Sequence, residues 1–236
     1  MSVTAAKGFT AAGISAGIKE SGSPDLALVV NRGPRLAAAG VFTANRVKAA
    51  PVAWSQQVLE GGRVSAVVLN SGGANACTGP DGFRDTCATA EKAAEVLGQS
   101  AGEIAVASTG LIGVRLPMDR LLPGIGKAVG ELSEHGGEKA AIAIKTTDTV
   151  HKTAVVQGDG WTVGGMAKGA GMLAPGLATM LVVLTTDADI DAAGLDAALR
   201  AATRTTFDRV DSDGCMSTND TVLLLASGAA EVTPAQ

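Results

Sequence analysis

The chain has 236 residues, of which 46% are hydrophobic and 18% charged, and its formal net charge is −4. This apolar content excludes intrinsic disorder, and the acidic balance with only 3% aromatic residues argues against nucleic-acid binding. No apolar run approaches the roughly 18 residues that a membrane span needs, so we expect one globular, catalytic-type domain over residues 1–236 with neither a membrane nor a nucleic-acid partner.

The order of apolar patterns predicts an α/β fold with mixed connectivity. Short β-branched segments indicate strands, and Ala-rich segments with apolar residues at helical spacing indicate helices. In chain order the predicted elements are strands 26–30 and 64–69, helix 81–97, strand 104–107, helix 117–133, strands 153–156 and 178–184, helix 191–203 and strand 222–226. Helix 81–97 has clear ends, since Pro80 and Asp81 stand at its start and Gly98 follows it.

Cysteine usage indicates a reducing compartment. The three cysteines, Cys77, Cys87 and Cys215, contain no C-x-x-C pair, and their odd number does not fit a disulfide framework. The N-terminal segment also lacks the apolar stretch of about 7–15 residues that export requires. We therefore expect a cytoplasmic protein.

Several motif-like patterns give no support to metal or nucleotide chemistry. The glycines of 124–130 are misplaced for a dinucleotide-binding turn and indicate a helix turn instead. Residues 211–214 resemble part of a calcium loop, but the first and last ligand positions of that loop hold the wrong residues. His135 and His151 stand in polar surroundings, as solvated loop histidines do. We expect no metal site and no cofactor.

One segment is hard to explain as plain structure: residues 164–181, GGMAKGAGMLAPGLATML. Its dense glycines permit strained backbone angles, and Thr179 opens a predicted strand directly after Ala178. A Thr hydroxyl can attack the preceding carbonyl, convert the amide to an ester, and let water release an N-terminal Thr. The freed α-amine, with a pKa of about 7.7–8.0, can then act as its base. The alternative is an ordinary Thr at a strand start.

This segment resembles the autoprocessing motif of the ornithine acetyltransferase (glutamate N-acetyltransferase) family, K-G-x-G-M-x-x-P-x-x-A-T-M-L, which is cleaved between its Ala and Thr. Other segments resemble blocks of the same family in the same order: 7–9, 41–45, 70–79, 108–110, 146–149 and 217–221. The resemblance covers essentially the whole chain. It implies the layered, mixed-sheet α/β fold of the DmpA/ArgJ-like type, lacking the family's C-terminal part.

The resemblance also implies cleavage between Ala178 and Thr179, which gives an α chain 1–178 and a β chain 179–236. Thr179 is then the nucleophile that forms an acetyl-enzyme. Thr109 and Gly110 match the family's oxyanion hole. From the residues alone, 108–110 read as an ordinary strand-to-loop turn.

Two further positions match substrate contacts of the family. Lys168 corresponds to a substrate-binding lysine, although a lysine is by default a solvated surface residue. Thr146 corresponds to a substrate-binding threonine of the family. If the match with the family is shifted by one residue, Thr147 takes that role instead. The block 70–79 reads as a tight loop with no chemical role, and Cys77 within it as a small packing residue.

The implied activity is transfer of acetyl from N2-acetyl-L-ornithine to L-glutamate in arginine biosynthesis, with no cofactor and with acetyl-CoA left open as a second donor. The family suggests an α2β2 assembly of the cleaved chains. Family members extend beyond the equivalent of Gln236 and carry further substrate contacts there. Two alternatives remain open: a related self-processing amidohydrolase or aminopeptidase, and a truncated fragment that is inactive and never cleaves.

Overall fold

The computed structural model describes residues 2–174 and 180–234. The strands of this part are β1 (Phe9–Ile14), β2 (Leu26–Asn31), β3 (Ala37–Phe42), β4 (Ala66–Gly73), β5 (Ile104–Leu111), β6 (Lys152–Gln157), β7 (Thr162–Lys168), β8 (Leu181–Thr186) and β9 (Thr221–Ala226). The α-helices are α1 (Ala50–Leu59), α2 (Gly79–Leu97), α3 (Met118–Gly130), α4 (Gly137–Ala143) and α5 (Ala192–Thr205). Single 3₁₀ turns precede β5 and follow α5.

The described strands form two mixed sheets. The first has the order β1-β2-β4-β5 and the second the order β3-β9-β8-β7-β6. In the first sheet β4 and β5 run parallel, in the second β8 and β9 do, and the remaining neighbours are antiparallel. The mixed connectivity expected from the sequence is therefore confirmed.

Alternation along each strand decides which layer a side chain enters. In β2, Leu26, Leu28 and Val30 pack with α2 and α3 on one face of the first sheet. The intervening Ala27 and Val29 pack on the other face, against the second sheet. The second sheet is covered in turn by α5, whose Leu195 and Leu199 lie in one cluster with its outer face. The layers are thus helices, sheet, sheet and helix, and β6 at the edge of the second sheet is largely exposed.

The three predicted helices are confirmed within three residues at each end. The carboxylate of Asp191 accepts a hydrogen bond from Gly194 N at 2.8 Å and so caps α5. Gly98, with φ of 66°, ends α2 in the left-handed conformation that glycine adopts without strain. Among the described residues, no helix combines the length and the apolar composition required to cross a bilayer.

The sequence prediction missed β1, β3 and β7 as well as α1 and α4. The missed strands are rich in Ala and Gly, which hides the alternation of apolar and polar side chains. Their small size has a packing reason: a Cβ added at Gly164 would lie 2.2 Å from the carbonyl oxygen of Ser2. Gly164 and Gly165 therefore belong to a buried strand, so the first residues of the segment 164–181 do have a plain structural role.

Candidate active site

The ends of three neighbouring strands meet at one edge of the second sheet. Lys168, the last residue of β7, pairs with Leu181 at the start of β8, and Leu181 pairs with Thr221 at the start of β9. Met180, the residue before β8, donates its N–H to the carboxylate of Asp220 at 2.9 Å and accepts from Thr221 N at 3.1 Å. Met180 and Leu181, at the start of β8, therefore lie between Lys168 on one side and Asp220 on the other.

Ala178 and Thr179, the predicted cleavage residues, lie outside the described residues, as do the three residues before them. Met180 is the next residue in the sequence, and its backbone nitrogen is covalently bonded to the carbonyl carbon of Thr179. Met180 is therefore the described residue that is nearest along the chain to the predicted cleavage bond.

Thr109 faces this edge from the first sheet. Its hydroxyl oxygen accepts a hydrogen bond from Lys168 Nζ at 3.3 Å, which joins β5 of one sheet to β7 of the other. Because Lys168 is the donor, the hydroxyl hydrogen of Thr109 is left for another acceptor. The interpretation of 108–110 as a strand-to-loop turn is wrong, since β5 continues to Leu111.

Gly110 lies where the backbone of β4 comes close to that of β5. Its φ is 133°, and an added Cβ would lie 2.5 Å from both Gly72 C and Gly73 N. The pairing of the two strands is also irregular at Gly72 and Gly73. Only glycine fits at position 110 without displacing β4, so the backbone beside Thr109 is fixed by packing.

The predicted site residues that the structure describes line one open cavity of about 540 Å³. Thr109, Gly110, Thr146, Thr147 and Lys168 all contribute to its wall. The rest of the described lining is Lys19, Gly72, Leu111, Gly171, Met172 and Asp213. Another open groove, of about 590 Å³ between β3, α1 and α5, contains none of the predicted residues. The choice between Thr146 and Thr147 stays open, because both side chains are exposed to the same cavity.

Lys168 is a buried cation at the floor of this cavity. It is 2% exposed, so its default interpretation as a solvated surface lysine is wrong. Burial lowers the pKa of its ammonium to about 8, although the carboxylates of Asp148 and Asp220 act in the opposite direction. A buried ammonium with few partners is suited to hold an anionic group of a ligand by a charge-assisted hydrogen bond.

Asp148 fixes the loop that carries Thr146, and the sequence prediction gave it no role. Its carboxylate accepts from Gly169 N at 2.8 Å, from Thr146 N at 3.4 Å and from the ammonium of Lys152. Burial alone would raise its pKa, but the hydrogen bonds from Lys152 and Gly169 and the nearby Lys168 hold the pKa of this carboxyl below its ordinary value. Asp148 therefore stays ionised and ties this loop to the end of β7.

Lys19 is a second cation in the cavity wall that the sequence prediction missed. Its ammonium donates to Lys145 O at 2.7 Å and to Pro24 O at 2.9 Å. The buried Asp25 shapes the turn before it by accepting three backbone N–H groups, among them Lys19 N at 2.9 Å. Burial lowers the pKa of Lys19, with Asp25 opposing and Lys145 adding to the shift. Nothing in the local sequence distinguishes Lys19 from a surface lysine.

The prediction of a tight loop over 70–79 is partly wrong. Its first four residues belong to β4, where Asn70 accepts from the Ser108 hydroxyl at 2.6 Å and supports the strand that carries Thr109. The rest of the block leads into α2. Cys77 is exposed and has a φ of 57°, so its interpretation as a small packing residue is also wrong.

No group of three or more His, Cys, Asp or Glu side chains within the described residues could hold a metal ion. In residues 211–214, which resemble part of a calcium loop, the carboxylates accept hydrogen bonds from nearby backbone N–H groups. Asp211 accepts from Gly214 N at 3.0 Å, and Asp213 accepts from Cys215 N at 3.1 Å. His135 is exposed, while His151 is partly exposed, 3.5 Å from the carboxylate of Glu138. The residues 124–130 lie within α3, as the sequence predicts.

Comparison with known proteins identifies relatives along the whole chain. The ArgJ family model matches residues 10–236. The chain is 84% identical over 236 residues to the "arginine biosynthesis bifunctional protein ArgJ" of Streptomyces avermitilis, a match that covers 100% of this chain and 62% of the relative. The chain thus spans about three fifths of the length of this relative.

Solved structures agree with the fold. The structure of Mycobacterium tuberculosis ornithine acetyltransferase complexed with ornithine is 60% identical, with a TM-score of 0.73, over 76% of this chain and 96% of the matched chain. An L-aminopeptidase D-Ala-esterase/amidase of Ochrobactrum anthropi matches with a TM-score of 0.55 over 96% of this chain and 73% of its own. Since that protein is only 13% identical, the match bears on the fold alone. The predicted layered fold of the DmpA/ArgJ-like type is confirmed.

Proposed function

The chain belongs to the ArgJ family, whose model matches residues 10–236, and from that premise we propose that it is a self-cleaving glutamate N-acetyltransferase. It transfers the acetyl group of N2-acetyl-L-ornithine to L-glutamate through an acetyl ester on Thr179. The observation that carries the proposal is the meeting of Thr109, Gly110, Thr146 and Lys168 on one cavity beside the start of β8.

Processing of the chain comes first. The Thr179 hydroxyl attacks the carbonyl carbon of Ala178, the amide becomes an ester, and water cleaves the ester to an Ala178 carboxylate and a Thr179 amine. The two pieces stay associated because the sheet holds them together: β8 pairs with β7, and β9 pairs with β3. The division into 1–178 and 179–236 remains a prediction.

Chain lengths among the relatives support cleavage near this position. The matched M. tuberculosis chain is 96% covered by only 76% of the 236 residues, about 179 of them. The S. avermitilis relative, in contrast, extends well beyond this chain, because 100% of the 236 residues covers only 62% of it. A shorter first chain is what cleavage after residue 178 would produce.

In the proposed acylation, the Thr179 hydroxyl attacks the acetyl carbon of N2-acetyl-L-ornithine and passes its proton to the α-amine of Thr179. The carbon–nitrogen bond breaks, the leaving nitrogen takes that proton, and ornithine departs. The oxyanion formed on the way is stabilised by the hydroxyl of Thr109 and the backbone N–H of Gly110. No cofactor is needed, because the acetyl group arrives bonded to the first substrate.

Deacylation reverses these roles with a second amino acid in the same cavity. The α-amine of L-glutamate attacks the ester carbon, N-acetyl-L-glutamate leaves, and the Thr179 hydroxyl regains its proton. Lys168 binds the α-carboxylate that both substrates share. One site that serves two amino acids in turn implies a ping-pong sequence. We further propose an α2β2 assembly in the cytoplasm; whether acetyl-CoA is a second donor remains open.

Intact-mass measurement under denaturing conditions, combined with turnover, tests the proposal. We expect two species that divide after residue 178, and acetyl transfer from N-acetylornithine that requires added glutamate. Release of free acetate without glutamate would instead indicate an amidohydrolase. A single uncleaved species of 23.4 kDa without turnover would identify an inactive fragment.

The pH dependence of KM follows from Lys168. Because the ammonium has a pKa of about 8 instead of its ordinary 10.5, it loses its charge as pH rises through about 8. We expect the KM for N-acetylornithine to rise above that pH while kcat changes less, since uniform binding is lost. The folded chain also binds fewer protons than the unfolded chain between about pH 8 and 10.5, so the free energy of unfolding should rise across that range.

Initial rates from pH 6.5 to 10 measure this effect, and N-acetylornithine suits the experiment because its α-nitrogen is acetylated. Lys168→Met is the control. Because methionine has no charge to bind the α-carboxylate, the KM of this variant should be high at every pH and should not rise around pH 8. A wild-type KM that stays constant up to pH 10 would remove Lys168 from carboxylate binding.

A further inference from the structure

Lys19 is a cation of the cavity wall that the reaction described so far does not use. It is partly buried and lines the same cavity as Thr109 and Lys168. An ammonium has three hydrogens to donate, and two of those of Lys19 go to Lys145 O at 2.7 Å and to Pro24 O at 2.9 Å. The third has no acceptor among the residues that the structure describes. Lys19 therefore has one hydrogen left to donate to a ligand in the cavity.

Packing holds this side chain in place. The buried carboxylate of Asp25 accepts from Ile18 N at 2.6 Å and from Lys19 N at 2.9 Å. A Cβ added at Gly72 would lie 3.2 Å from Lys19 Cγ, and the φ of Gly72 is 113°. The stem of Lys19 thus lies against β4 at a point where that strand has no side chain. A cation that is already ordered loses little conformational entropy when it binds an anion.

Lys19 and Lys168 approach the cavity from different elements. Lys168 ends β7 and contacts the Thr109 hydroxyl of β5, whereas Lys19 lies against Gly72, the partner of Gly110 in the neighbouring β4. Burial is the main cause of the lowered pKa of Lys168, and the charge of Lys19 adds to that shift, so the two cations sense each other. Two cations around one cavity favour a ligand with two anionic groups.

The proposed substrates differ in the charge at the end of the side chain. The side chain of L-glutamate ends in a carboxylate, and that of ornithine ends in an ammonium. In both, the α-carboxylate is attached to the carbon that bears the reacting nitrogen, so it stays near Thr109 and Lys168 while the side chain extends away from them. The side-chain carboxylate of glutamate then needs a cation of its own.

We propose that Lys19 is a specificity-determining residue whose remaining ammonium hydrogen binds the side-chain carboxylate of the acceptor L-glutamate. This inference rests on the proposed function, since it takes glutamate as the acceptor. An ion pair at this position favours glutamate over glutamine, a neutral amino acid of the same shape, and disfavours a side chain that ends in a cation.

Asp213 provides the opposite charge in the same wall. Its carboxylate accepts from Met172 N at 2.7 Å and from Cys215 N at 3.1 Å, and these backbone hydrogen bonds hold its pKa below the ordinary value. Asp213 therefore stays ionised and attracts the side-chain ammonium of ornithine that Lys19 repels. A wall with charges of both signs suits a site that two substrates of opposite side-chain charge occupy in turn.

The first test is Lys19→Met, since methionine keeps an unbranched stem and loses the charge. In a ping-pong sequence the kcat/KM of each substrate reports on its own half-reaction. We expect kcat/KM for glutamate to fall about 10–100-fold, as when a hydrogen bond to a charged group is lost, and kcat/KM for N-acetylornithine to stay equal or rise. A merely structural role of Lys19 would lower both values together.

Lys145→Met is the matched control. The charge of Lys145 acts on Lys19, but its side chain is not part of the described cavity wall. Its hydrogen bond with Lys19 uses the backbone oxygen, which the substitution keeps. The kcat/KM of this variant for glutamate should stay near the wild-type value. An equal fall in both variants would assign the effect to the total positive charge and not to Lys19.

A second measurement uses the unmutated chain and needs no turnover. The ammonium of Lys19 can be titrated by NMR of its Cε carbon with N-acetyl-L-glutamate or N-acetyl-L-glutamine bound, two ligands that differ in the charge of the side chain. Burial lowers the pKa of Lys19 in the free chain. We expect this pKa to rise by about one unit or more with N-acetyl-L-glutamate alone, because a nearby anion favours the protonated form.

Equal pKa values of Lys19 with the two ligands would overturn the inference and leave the proposed function intact. So would a Lys19→Met variant that keeps the wild-type kcat/KM for glutamate or loses activity toward both substrates equally. A chain in which the pKa of Lys19 rises with N-acetyl-L-glutamate alone, but which transfers no acetyl, would instead sink the proposed function.

Discussion

Thr179→Ala is expected to leave the chain as a single species of 23.4 kDa and to abolish acetyl transfer. In the proposed mechanism the same hydroxyl oxygen is the nucleophile of both reactions: it attacks the carbonyl of Ala178 during processing and the acetyl group during turnover. Without it no ester can form on the protein, and removal of a nucleophile in comparable acyl-transfer enzymes lowers kcat on the order of 10⁶-fold.

Intact mass and glutamate-dependent transfer, measured on the same preparation, test this prediction. Thr179→Ser is the control, since it keeps a hydroxyl and an α-amine and should still cleave and transfer, at a lower rate. Transfer by Thr179→Ala at the parental rate would exclude Thr179 from the mechanism. Cleavage without transfer in the wild type would separate the two roles.

Thr109→Val carries the second-largest expected effect. Valine preserves the branched shape but removes the hydroxyl oxygen that accepts a hydrogen bond from Lys168 Nζ at 3.3 Å. In the proposed mechanism the same hydroxyl donates its hydrogen to the oxyanion. Loss of one oxyanion donor lowers kcat about 10²–10³-fold. KM should change little, because the oxyanion exists only in the transition state and not in the bound substrate.

Thr185→Val is the matched control for this substitution. Thr185 is also fully buried in a strand, but its hydroxyl donates to Val3 O at 2.7 Å, at the end of β8 away from the cavity. Its kcat should stay close to that of the wild type, although its melting temperature should fall because a buried hydrogen bond is lost. If Thr109→Val lowers only the melting temperature, as this control does, Thr109 is structural and does not stabilise an oxyanion.

Much of the fold could be predicted from local sequence. Pro80 and Gly98 mark the ends of helix 81–97, and residues 222–226 form a short continuous apolar run, as buried strands do. The strands that were missed are those built from Ala and Gly. Their side chains are small because other backbone lies against them, as Ser2 lies against Gly164, and that contact cannot be seen along the sequence.

The candidate site, like the fold, could be predicted from the sequence only in part. The sequence, through its resemblance to the family, supplied the proposed roles of Thr109, Gly110, Lys168 and Thr179, because a motif can be recognised without knowledge of the fold. Only the tertiary structure decided that Lys168 is a buried cation, that Thr109 accepts its hydrogen bond across 59 residues, and that Asp220 holds the backbone after Thr179. The physical reason is that burial, and with it the pKa of a lysine or an aspartate, arises where two sheets stack, and stacking joins segments that are far apart along the chain.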